Sequence, residues 1–98
     1  MNVTIDGIEY SPVKANAPWR IVVLDRGFIV VGRVSIDGSY VVIDDCSCVR
    51  RWGTTKGLGE LASCGPLVNT VLDPQPRTRV HELQVVQIID CEEAKWIR

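Results

Sequence analysis

The sequence predicts a mainly β (α+β) fold. It reads as a small antiparallel sheet or partly open barrel of five to six strands. One short helix is expected over about residues 55–64, with a C-terminal segment able to form a helical tail. Three observations predict it. Runs rich in valine and isoleucine recur, most of them bounded by an Asp-Gly or similar turn signal. Only one internal segment carries apolar residues at helical spacing before a clear stop. A chain of 98 residues, 46% apolar and 23% charged, fits a single β-rich domain over 1–98 with a modest core.

The elements follow in order. Val3 and Ile5, the pair Asp6-Gly7, then Ile8 and Tyr10 spell a hairpin with a two-residue turn. A loop with Pro12 and Pro18 comes next. "WRIVVL", "FIVVGRVSI" and "SYVVI", joined by "DRG" and Asp37-Gly38, form a meander of three strands. "DDCSCVRRW" is expected to begin with a bend at Asp44-Asp45 and to continue as another strand. Thr54 or Thr55 is the expected helix N-cap. Leu58, Leu61 and Ala62 form the buried stripe, and Gly65-Pro66 stops the helix. "TVLDPQPRT" reads as a loop stiffened by two prolines, and "RVHELQVVQIID" as one long final strand. "CEEAKWIR" reads as a short helix or an ordered tail, with Trp19 and Trp96 expected in edge or interface packing.

Several strands are apolar at consecutive positions, as in Ile21–Leu24, Phe28–Val31 and Tyr40–Ile43. A strand with one wet face alternates, so these runs imply burial on both faces. Either the sheet closes on itself or a second copy covers it. The expectation is a homo-oligomer.

Composition bounds the function. The net charge of −1 gives no general reason to bind nucleic acid. Charge is unevenly placed: residues 46–80 hold Arg50, Arg51, Lys56, Arg77 and Arg79 against Glu60 and Asp73. Cys46, Cys48, Cys64 and Cys91 show no C-x-x-C spacing and lie far from the lone His81, so free thiols are expected and no metal. No apolar run approaches the roughly 20 residues of a membrane helix, and the start lacks the pattern of a signal peptide. A cytoplasmic protein is expected, with no membrane partner.

The stretch Val49–Gly65 is the candidate site. Glycines at 53, 57 and 59 let a backbone approach a ligand, and a helix start attracts anions. Arg50 and Arg51 offer guanidinium forks, Thr54 and Thr55 hydroxyls, Lys56 a cation, and Trp52 a stacking ring. Arg77 and Arg79 are candidates to close the pocket from a neighbouring strand. The spacing matches neither a Walker loop nor a dinucleotide fingerprint. No nucleophile–base pair can be assembled from local spacing, so the expectation is a ligand-binding protein that is not an enzyme and needs no cofactor. A bland reading stands beside this one, with a solvated arginine, an ion-paired arginine, and Trp52 as a core anchor. His81 reads as a hydrogen-bonded structural residue.

The block "RRWGTTKGLGELASCGP…TVLDP…RVHELQVVQIIDCEE", with the opening "MNVTIDGIEYSPV", resembles a family of small tailed-bacteriophage proteins. The resemblance covers most of the chain and is strongest from Arg50 to Ala62. It implies a phage protein acting in the bacterial host cytoplasm, and it brings no catalytic residues. Compact phage proteins of this type are often accessory or counter-defence factors. The expectation is a sponge for a phosphorylated nucleotide signal, cyclic oligonucleotide or ADP-ribose in type. Two alternatives stand beside it: a module binding a host or phage protein through its apolar sheet face, and a weak nucleic-acid binder.

Overall fold

A computed structural model describes residues 3–5, 8–10 and 17–96. The expected opening hairpin is present: β1 (Val3–Ile5) pairs antiparallel with β2 (Ile8–Tyr10), Val3 opposite Tyr10. Its turn residues, Pro12 and the rest of 11–16 lie outside the described residues.

The main sheet is antiparallel and holds six strands. β3 (Trp19–Leu24), β4 (Ile29–Asp37) and β5 (Tyr40–Arg51) form the meander. The two strands expected on either side of Asp44-Asp45 are one twelve-residue strand, β5, and the expected bend is an irregularity within it. The register shifts there, and Asp45 takes a φ of 51°. Gly32 sits against this kink. A Cβ there would collide with the Asp44 carbonyl and the Ile43 side chain, so only glycine lets β4 and β5 approach so closely.

Two expectations need correction. "TVLDPQPRT" is not all loop: β6 (Val71–Pro74) pairs with the second half of β5. Pro74 ends that strand at the sheet edge, where its missing N–H costs nothing. "RVHELQVVQIID" is not one strand. β7 (Thr78–His81) pairs with the first half of β5, while β8 (Val85–Asp90) pairs with β3 on the opposite edge. Only a 3-10 turn, Glu82–Gln84, separates them. In a flat sheet, β7 and β8 would lie four strand spacings apart, about 19 Å. Four residue steps span at most about 14 Å. The sheet therefore coils strongly and brings its two edges together at this turn.

Coiling explains the consecutive apolar runs. Val22, Val30, Val34, Val41, Ile43 and Cys46 fill the inside of the coil, with Val80 and Val85 against them. Their sequence neighbours Ile21, Ile29 and Val31, with Val49 further along β5, point the other way, onto a second cluster with Leu61, Ala62 and Trp96. That outer face is covered by α1 (Leu58–Cys64) and α2 (Glu93–Trp96). One chain thus buries most of both faces, although Phe28 and Tyr40 at the starts of two runs stay exposed, and the buried parts of the runs do not call for a second copy. Trp96 is a core residue, 1% exposed, not an edge residue.

The helix also starts later than expected. Gly57, not Thr54 or Thr55, is the N-cap, and no side chain caps it. The expected stripe of Leu58, Leu61 and Ala62 does pack inward, and Gly65 N–H closes the end on the Leu61 carbonyl.

Candidate functional site

The end of β5 and the loop to α1 place six of the eight candidate residues in one contiguous stretch. Arg50 sits on the strand, exposed, and forms a two-pronged ion pair with Asp73 of β6: Nε to Oδ2 at 2.9 Å and Nη2 to Oδ1 at 3.3 Å. Its fork is filled by its own sheet. Arg51 is exposed and carries no ion pair among the described residues. Trp52 follows, 41% exposed, so it is not the core anchor of the bland reading.

The loop after Trp52 is tied at both ends. The Thr70 hydroxyl donates to the Trp52 carbonyl at 2.7 Å and accepts from Leu67 N–H at 2.9 Å. Gly53, at a φ of 68°, packs onto the Asn69–Thr70 backbone so closely that a Cβ has no room. At the far end the Glu60 carboxylate accepts from the Thr55 N–H at 3.2 Å and from the Thr55 hydroxyl at 3.4 Å. Thr55 is therefore held by an internal carboxylate placed where an anion would sit. Thr54 turns its hydroxyl inward, buried and without a hydrogen-bond partner in the described structure. Lys56 is exposed. Three exposed groups without an ion pair among the described residues remain here: the Arg51 fork at the end of β5, and the Trp52 ring and the Lys56 ammonium on the tied loop.

Arg77 and Arg79 do not close this site. Arg79 lies opposite Val42, and Arg77 pairs with Asp44, near the middle of β5. Six residues of strand, about 20 Å, separate Asp44 from Arg50. Arg79 is engaged by Asp37 at 3.2 Å. Both arginines serve to pin the β7 edge to the carboxylates of β4 and β5.

A concavity lies elsewhere, on the outer sheet face. It measures about 250 Å³ and is lined by Trp19, Val31, Ser47, Leu72, Pro74 and Trp96, with Asp45 beside them. Trp19 stacks on Trp96 with ring centroids 6.2 Å apart. Arg33 braces this wall. Its guanidinium lies 5.4 Å from the Trp19 ring centre and donates to the Ala17 carbonyl at 2.9 Å and to Glu93 at 3.2 Å. Spacing in the sequence carries no signal for this cleft. It is assembled by cross-strand register, Trp19 beside Arg33 and Val31 beside Ser47, and closed by the C-terminal helix.

The four cysteines are free thiols, as expected, although Cys64 is exposed. Burial pushes the Cys91 thiol up to about 12 and the Cys46 thiol up as well. His81 has a structural role: its Nδ1 accepts from the Leu83 N–H at 3.2 Å and its ring stands edge-on to Tyr40. No helix among the described residues is long and apolar enough to cross a membrane. No protein-family model and no curated protein matches the chain.

Proposed function

We propose that this chain is a binding protein that works without turnover. It captures a phosphorylated nucleotide signal, of cyclic oligonucleotide or ADP-ribose type, at the Arg51–Lys56 loop, and in a phage-infected cytoplasm it would blunt a host defence. One observation carries the reading. Arg50, Arg77 and Arg79 are committed to carboxylates, while Arg51 at the end of β5 and Trp52 and Lys56 just after it are exposed, next to a loop tied down through Thr70 and Glu60. A fixed loop loses little freedom on binding, so its contacts are not spent on ordering it.

Magnitudes favour more than one copy. Two charge-assisted hydrogen bonds at about 1.5–3 kcal/mol each and one stacked base at about 1–3 kcal/mol give roughly 4–9 kcal/mol gross. Association alone costs roughly 4–15 kcal/mol. One open loop is too little for a tight sponge, and two loops facing one ligand would suffice. Homo-oligomerisation therefore belongs to the proposal on energetic grounds. Native mass spectrometry of protein purified from bacteria tests both parts. An oligomer carrying a nucleotide mass is expected, and a bare monomer under all conditions counts against it.

A protein-partner reading retains one observation. Most of each sheet face is buried, but the edge strand β8 leaves Val86 68% and Ile88 40% exposed, and the preceding turn leaves Leu83 82% exposed. An apolar free edge is a pairing template for another strand. Capture of a single host protein, with indifference to every nucleotide, would favour this reading.

A further inference from the structure

The cleft on the outer sheet face has a chemistry opposite to that of the loop. Its walls are apolar: Val31, Leu72, Pro74 and the two stacked indoles. Its one formally charged lining residue is Asp45. The Asp45 side chain is 70% exposed, and its Oδ2 meets Arg33 Nε only at 3.5 Å, long for a hydrogen bond. The carboxylate therefore keeps acceptor capacity facing outward. Arg33 meanwhile has the Ala17 carbonyl and Glu93 as better partners, so it does not neutralise Asp45 fully. The ion pairs that join Arg33 to Asp45 and Glu93, and Arg77 to Asp44, set three carboxylates against two guanidinium groups. The Asp45 carboxylate on the lining disfavours an anionic guest. The Ser47 hydroxyl adds a second polar group on the same wall.

Size narrows the guest further. Sites for drug-sized ligands run from roughly 300 to 1,000 Å³. At about 250 Å³ the cleft suits one side chain or a small amine, not a nucleotide. It is also separate from the loop: Ser47 and Arg51 lie four residues apart on β5, about 13 Å, with α1 packed over the Val49 between them.

We propose that the Trp19–Trp96 cleft is a second binding site, for an apolar stem ending in a cationic head, an alkylammonium or guanidinium group. The stem lies along Val31, Leu72 and Pro74, and the head reaches the Asp45 carboxylate. Asp45 is suited to the task because its left-handed backbone at the kink of β5 turns its side chain off the sheet ladder.

The test follows the indole N–H signals of the ¹⁵N-labelled protein by NMR during titration with n-butylammonium, agmatine or N-acetyl-lysine-N-methylamide. The Trp19 signal is expected to shift saturably while the Trp52 signal stays still, and adenosine monophosphate is expected to leave Trp19 unmoved. Asp45→Asn keeps the shape and tolerates the positive φ, and it is expected to weaken amine binding by roughly tenfold or more. Ser47→Val fills the wall without changing charge and is expected to weaken it as well. Equal affinity for butylammonium and the lysine amide assigns the site to free amines, and tighter binding of the lysine amide assigns it to a basic protein side chain; either supports the proposal. No saturable Trp19 shift with any of the three, or unchanged affinity in Asp45→Asn, overturns it.

Discussion

Trp96 donates its indole N–H to the Ala62 carbonyl at 3.0 Å, across 34 residues of sequence. This bond and the burial around it tie the C-terminal helix to α1 and seal the outer core. Trp96→Ala is expected to cost about 3–5 kcal/mol. Trp96→Phe keeps most of the packing, and the Ala62 carbonyl still accepts from the Glu92 N–H at 2.9 Å, so the loss of the indole bond is expected to cost only about 0.5–1.5 kcal/mol. Urea denaturation followed by circular dichroism measures both.

The binding loop depends on its seat against residues 67–70. Gly53→Ala places a methyl group on the Asn69–Thr70 backbone and is expected to destabilise by roughly 1–3 kcal/mol. Thr70→Val removes the bonds to Trp52 and Leu67 and is expected to loosen the loop. Faster amide exchange confined to residues 52–57 would show it; unchanged exchange would mean the loop is held by other contacts.

Much of the strand plan was legible in the sequence. The hairpin signal at Asp6-Gly7, the turn at Asp37-Gly38 and the kink at Asp44-Asp45 are local chemistry, and spacing records local chemistry. The break at Glu82 was not legible. No glycine or proline marks it. The chain turns there because β5 and β3 claim its two halves on opposite edges of a coiled sheet, and His81 steadies the turn through Leu83. The consecutive valines correctly implied two buried faces, but their cover proved to be the coil and two helices of the same chain. The candidate site was legible only in part. Which arginines stay open is decided by register, which sets Asp73, Asp44 and Asp37 against Arg50, Arg77 and Arg79. Nothing in the spacing of basic residues announces those partners.

Glu60 holds Thr55 with a carboxylate where a phosphate would otherwise approach. Glu60→Gln keeps an acceptor but removes the charge. Stability is expected to fall by about 0.3–1 kcal/mol, and nucleotide affinity to rise several-fold. Calorimetry on the variant measures the second effect. An affinity that does not rise would place the phosphate away from this helix start.

Thiol chemistry should divide the cysteines by depth. Cys64 is exposed and is expected to react first with a disulfide reagent at neutral pH, with Cys46 and Cys91 protected until unfolding. Burial raises the Cys91 thiol from 9.0 to about 12. Unfolded chains then release this proton near pH 9 while folded chains retain it. The contribution of this thiol to stability is expected to be level below about pH 9 and to decline from there towards pH 12. Cys91→Ser is expected to flatten that decline in a pH series of denaturation midpoints.

Isothermal titration calorimetry bears most directly on the open loop, using a cyclic dinucleotide and ADP-ribose against the native protein, Arg51→Ala and Trp52→Ala. Micromolar or tighter binding of at least one ligand is expected, lost in both variants and kept in Arg79→Ala, whose guanidinium serves Asp37. Heat-silent titrations with every nucleotide, or binding that survives the loss of both Arg51 and Trp52, would contradict it.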